Sequence, residues 1–138
     1  MTLRMLAAAL AFLALSAGGA AAQSGTARMV TAANAFLATL SAPQKQKVSF
    51  AFDDAQQRTR WSNLPVTMVP RAGLNMGELT APQRAAAMAL VTAALSARGY
   101  QKVQEIMEGD ETLKAGGRAG MFGKELYFIS ILGTPSAT

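Results

Sequence analysis

Two five-residue stretches of this chain are nearly identical, Leu40-Ser41-Ala42-Pro43-Gln44 and Leu79-Thr80-Ala81-Pro82-Gln83, and each dictates the start of a helix. The Ser41 or Thr80 hydroxyl can accept from the backbone N–H three residues on, while the Gln44 or Gln83 side chain reaches back to the N–H of the cap. Proline is tolerated in the first turn because its missing N–H has no helical partner. The likeness does not extend into the helices themselves, so this is one way of starting a helix used twice, not an internal repeat. Between the two starts lies Phe50 to Glu78, which holds the single tryptophan, an aspartate pair, three arginines and two prolines.

The apolar residues of 28–40 (Met29, Val30, Ala33, Phe36, Leu37 and Leu40) fall three or four apart and predict an amphipathic helix. A short helical turn comes after Pro43. Val48, Phe50 and Phe52 alternate with smaller residues, which predicts a strand at 48–52 ended by Asp53-Asp54. Each proline pushes the residue before it out of helical dihedrals, so 65–69 reads as extended, an edge strand at most. Leu74, Met76 and Leu79 are expected over the core. The second cap opens an alanine-rich helix at 82–98, with Met88, Val91 and Leu95 on one stripe. Gly99 is expected to close it with a left-handed cap. Tyr100, Val103, Ile106, Met107 and Leu113 predict a further helix at 100–113, interrupted or ended near Gly109-Asp110. Residues 114–124 carry four glycines and read as a loop. Leu126 to Leu132, LYFISIL, reads as a buried strand within 125–132. The fold class is therefore α+β: three or more helices packed on a small sheet, in a single domain over 23–138.

The start of the chain has a different character. Arg4 precedes the apolar run Met5 to Leu15, and Ala20-Ala21-Ala22 supplies small residues before Gln23. This pattern predicts a signal peptide over 1–22 and an exported product, periplasmic or secreted. Eleven apolar residues fall short of the roughly 20 that span a bilayer, so no stable membrane span is expected after cleavage. The chain has no cysteine and must hold together by its core. Its net charge of +5 is spread along the sequence without interleaved aromatics, which argues against nucleic acid as a partner.

With neither cysteine nor histidine, a Cys/His zinc site, a thiol nucleophile and a histidine-based triad are all excluded. No metal and no cofactor is called for. Asp53 and Asp54 would point to opposite faces of a continuing strand, which suits a strand end and an Asx-type turn, or a cation or Arg58 held by one of them. Arg58 and Arg60 precede Trp61, an arrangement that could clamp a carboxylate or phosphate beside an aromatic wall. The same residues could equally be a core tryptophan with an arginine packed flat over it. Together with Arg71 these residues form the candidate ligand site, for a small anion or a protein partner. The glycines at 117, 120 and 123 precede a strand and lack a Gly-Lys-Ser/Thr ending, so they are not a phosphate loop. The methionines read as core filler.

Several of these residues also carry a resemblance. Phe52-Asp53-Asp54 with Arg58, Trp61 and Pro65, then Arg71-Ala72-Gly73-Leu74, then Leu79 with Pro82-Gln83-Arg84, Leu95-Ser96 with Gly99-Tyr100, and Tyr127 with Gly133-Thr134-Pro135 together resemble the N-terminal half of a bacterial exported family of unknown function, DUF3500. The resemblance spans nearly the whole of 23–138 and implies an address rather than an activity. Family members of this kind continue past the Gly-x-Pro turn into a tryptophan-containing segment and a Gly-His-His motif. The resemblance thus implies a truncated chain, part of a larger domain, whose LYFISIL strand would be prone to aggregate without its neighbours. It leaves two functional expectations: an exported binding module using the Arg58–Arg71 segment, or the front of a hydrolase-like enzyme whose remaining site residues lie elsewhere.

Overall fold

A computed structural model describes residues 25–137. The predicted signal segment and its cleavage point before Gln23 lie outside the described residues.

Helix α1 covers 25–38 and presents Ala33 and Phe36 to the interior, with Leu40 buried just beyond its end, the stripe expected from spacing. Its end tightens as the N–H groups of Thr39 and Leu40 donate to the carbonyls of Phe36 and Leu37. Ser41 then caps α2 (Ala42–Val48), and Thr80 caps α4 (Ala81–Ala94), each with a complete capping box. The two caps also meet. The Gln44 and Gln83 amides exchange hydrogen bonds at 3.3 and 3.0 Å, Gln83 Nε2 donates to the Thr39 carbonyl at 2.8 Å, and Gln44 Nε2 reaches the Glu78 carbonyl. The repeated motif therefore locks two helix starts and the end of α1 into one knot.

The core is Phe36, Leu40, Val48, Leu74, Met76, Leu79 and Ala87, with Tyr127, Ile129 and Ile131 packed against it. On α4 the inward centre is Ala87 with Leu90 beside it, while Leu95, expected on the buried stripe, is exposed. The expected break at Gly99 falls earlier. Helix α4 ends at Ala94, and Ser96 caps α5 (Ala97–Leu113) by accepting from the Gly99 N–H at 3.1 Å. Gly99 is thus the third residue of a new helix, and its φ is not positive. A serine with helical sequence after it offers a cap that competes with a glycine stop. Helix α5 also runs through Gly109-Asp110 without interruption and finishes in a wide turn over Lys114–Arg118, where Gly117 takes φ +93°.

Among the described residues, four two-residue strands make two ladders. β1 (Ser49–Phe50) pairs in parallel with β4 (Ile131–Leu132), and β2 (Leu74–Asn75) pairs antiparallel with β3 (Phe128–Ile129). The LYFISIL run is therefore not one strand. Only its first residue, Leu126, falls in a 3₁₀ turn (Lys124–Leu126), and the run changes partner at Ser130. The Ser130 hydroxyl receives Gln57 Nε2 at 2.9 Å and donates to the Ala72 carbonyl at 3.4 Å. Gly73 permits this approach: with φ +108°, an added Cβ would stand 2.6 Å from the Ile129 carbonyl oxygen.

The expected strand at 65–69 is absent. The N–H groups of Met68 and Val69 both turn back to the Pro65 carbonyl. The Arg71 guanidinium collects the carbonyls of Ser62, Leu64 and Val69, so this segment finds its partners through one side chain rather than a neighbouring strand.

Candidate functional site

The segment after β1 shapes the site. Asp54 caps the short α3 (Ala55–Thr59), accepting from the Gln57 N–H at 2.7 Å. The helix then stops in an inverse γ-turn: Arg60 has φ −75° and ψ 63°, and the Trp61 N–H donates to the Thr59 carbonyl at 2.8 Å. That turn sends Arg60 and Trp61 outward, and Trp61 is 82% exposed. It is neither a core plug nor covered by an arginine. Arg58 lies instead over the Phe52 ring, 4.5 Å from its centre, and donates to the Phe52 carbonyl at 2.6 Å.

Arg60 and Trp61 stand on the rim of an open-sided cleft of about 480 Å³. One wall is the arginine-stapled loop with Leu64 and Val66, and the opposite wall is the Ile106 and Asp110 face of α5. Met121 and Phe122 of the glycine loop form a lip, and Leu126, Tyr127, Phe128 and Ser130 the base. The period-two alternation of the last run explains the base, since Ile129 and Ile131 turn to the core while Phe128 and Ser130 turn to the cleft.

Of the six residues singled out by sequence, Arg60, Trp61 and Arg71 line the cleft. Arg71 commits its guanidinium to three loop carbonyls, whereas Arg60 makes no hydrogen bond or ion pair among the described residues. Asp53, Asp54 and Arg58 do not line it: Asp53 is exposed, Asp54 is a helix cap, and Arg58 is folded onto Phe52.

Sequence reasoning missed a polar pair in the cleft. The Tyr127 hydroxyl donates to Asp110 Oδ2 at 2.8 Å. Burial first, and then this bond to Asp110, hold the Tyr127 phenol well above the ordinary tyrosine range. Seventeen residues separate the two, and no periodicity links them; only the shared face of Ile106 and Asp110, four apart on α5, hinted at the wall. The lip is fastened by ion pairs. Lys114 bridges Glu111 at 3.2 Å and Glu125 at 2.6 Å, Lys124 pairs with Glu108, and the Lys124 N–H donates to Glu111 at 3.0 Å. The hydrogen bonds that Lys114 donates to Glu125 and then Glu111 raise its pKa; the Glu125 pKa is lowered chiefly by Lys114, and that of Glu111 chiefly by the Lys124 N–H.

A small α+β protein with an open-sided cleft of about 480 Å³, lined by Arg60, Arg71, Asp110 and a mixture of apolar and neutral polar side chains, is the class these features define. The family model for a protein of unknown function (DUF3500) matches residues 22–138, and the chain belongs to that family. No curated protein and no solved structure matches it. Among the described residues no helix is long and apolar enough to cross a membrane, and no group of three or more acidic, cysteine or histidine residues could hold a metal ion.

Proposed function

We propose that the protein is an exported binding module that takes a small anion into the cleft between α5 and the 60–71 loop. The observation that carries this reading is Arg60: a guanidinium without an intramolecular partner among the described residues, beside an indole that is 82% exposed, at the mouth of a cleft of about 480 Å³. An unpaired arginine next to an open aromatic face suits a carboxylate or phosphate attached to a flat or apolar body. Export rests on the basic start, the apolar run and the alanines before Gln23. The hydrolase-like alternative has less to draw on. The cleft offers one carboxylate, Asp110, already bonded to Tyr127, with no second acid lining it among the described residues and no histidine or thiol in the chain.

The test is a titration of the mature chain with phenylacetate, read by the fluorescence of Trp61, the single tryptophan. A ligand of this size in an open cleft should bind with a Kd on the order of a millimolar. Arg60→Gln should weaken it about tenfold, the loss of one charged hydrogen bond. An unchanged Trp61 signal from a folded sample, or equal affinity in the variant, would count against the reading.

A further inference from the structure

The base of the cleft specifies its ligand further than the rim does, and this step rests on the anion reading above. Asp110 uses Oδ2 for the Tyr127 hydroxyl, while Oδ1 accepts nothing among the described residues. Asp110 lines the cleft, and a carboxylate oxygen can only accept, so a ligand group placed against Oδ1 must bring a donor. Tyr127 cannot supply a second proton, because its one O–H is already given to Asp110. Besides its charged groups the cleft is lined by apolar side chains, among them Leu64, Ile106, Met121 and Phe128, together with the neutral polar Gln57, Ser62, Asn63 and Ser130. The formal charges lining the cleft are Arg60 and Arg71 against Asp110, a net excess of one positive. A ligand with a single negative charge and a neutral donor balances that excess, whereas an ammonium donor would cancel the ligand's own charge.

We propose that the cleft takes a hydroxyaryl carboxylate, with its acid group at Arg60, its ring along Trp61 and the apolar walls, and its hydroxyl donating to Asp110 Oδ1. The hydroxyl selects among anions that the rim alone would accept equally. A site with a buried or half-buried acceptor rejects the analogue lacking the donor, because the acceptor is then left without water and without a partner.

Calorimetric titration of the mature chain with phenylacetate, para-hydroxyphenylacetate and para-methoxyphenylacetate decides the matter. The hydroxy compound should bind about tenfold tighter than phenylacetate, as expected of a hydrogen bond to a charged group, and the methoxy compound no tighter. In Asp110→Asn the advantage of the hydroxyl, read as the ratio of the para-hydroxyphenylacetate and phenylacetate affinities within the same variant, should shrink to about twofold or less. Equal affinities of the three compounds for the wild-type chain would overturn the hydroxyl assignment and leave the anion site standing. So would a hydroxyl advantage that survives in Asp110→Asn. Absence of binding by all three would instead remove the anion site and this inference with it. The wild-type comparison needs no variant, so it remains decisive if Asp110→Asn folds poorly.

Discussion

Replacing Gln83 by alanine should cost far more than a surface glutamine ordinarily does. Its amide oxygen accepts the Thr80 N–H at 3.0 Å and Gln44 Nε2 at 3.3 Å, while its Nε2 donates to the Thr39 carbonyl at 2.8 Å and to Gln44 Oε1 at 3.0 Å. A net hydrogen bond contributes about 0.5–1.5 kcal/mol, at the low end where water can replace the lost partner. Four half-exposed bonds then give a loss of about 2 kcal/mol. Gln44→Ala, which removes the Ser41 back-bond at 3.0 Å, the bond to the Glu78 carbonyl at 3.4 Å and the same reciprocal pair, should cost about 2 kcal/mol as well. Because the pair is shared, the double variant should lose about 1 kcal/mol less than the sum of the two. Urea unfolding monitored by far-ultraviolet circular dichroism measures all three. Additivity to within about 0.3 kcal/mol would refute the knot and return the two caps to independent devices.

Gly73→Ala should destabilise by about 2–4 kcal/mol, since it combines a strained φ with a clash against the Ile129 carbonyl oxygen at 2.6 Å; the shift of the urea midpoint reads it. Gly109→Ala should do the reverse, adding about 0.5–1 kcal/mol, because the residue sits inside α5 with open space where a Cβ would go. The raised Tyr127 pKa means the fold binds the phenolic proton more tightly than the unfolded chain does. That contribution is present below about pH 10 and is lost as pH rises towards the folded value. Stability should therefore fall on the alkaline side, and Tyr127→Phe should flatten that fall.

Legible in the sequence is what local chemistry decides alone. A hydroxyl, a proline and a glutamine at fixed offsets form a capping box wherever they occur, so both helix starts can be read directly. The stripe of Phe36 and Leu40, and Leu74, Met76 and Leu79 over the core, are set by spacing in the same way. Sequence reasoning fails where a distant partner overrides the local signal. The 65–69 segment looks extended because of its prolines, yet Arg71 gathers its carbonyls and makes a strand unnecessary. LYFISIL has the composition of one buried strand, but β1 and β2 claim different halves of it. Trp61 admits two readings from its neighbours alone, and only the γ-turn at Arg60 explains why a large apolar ring faces solvent. The Asp110–Tyr127 pair depends on the packing of α5 against the last run, which no short motif encodes.

The location of the site can be measured without assuming the ligand's identity beyond its charge and ring. Amide chemical-shift mapping of residues 23–138 with phenylacetate should move Arg60 to Leu64, the Trp61 indole, the Ile106–Asp110 turn of α5 and Phe128. Perturbations confined to other unpaired cations such as Arg28, Lys45 or Arg98, with Trp61 unmoved, would contradict a binding cleft at Arg60.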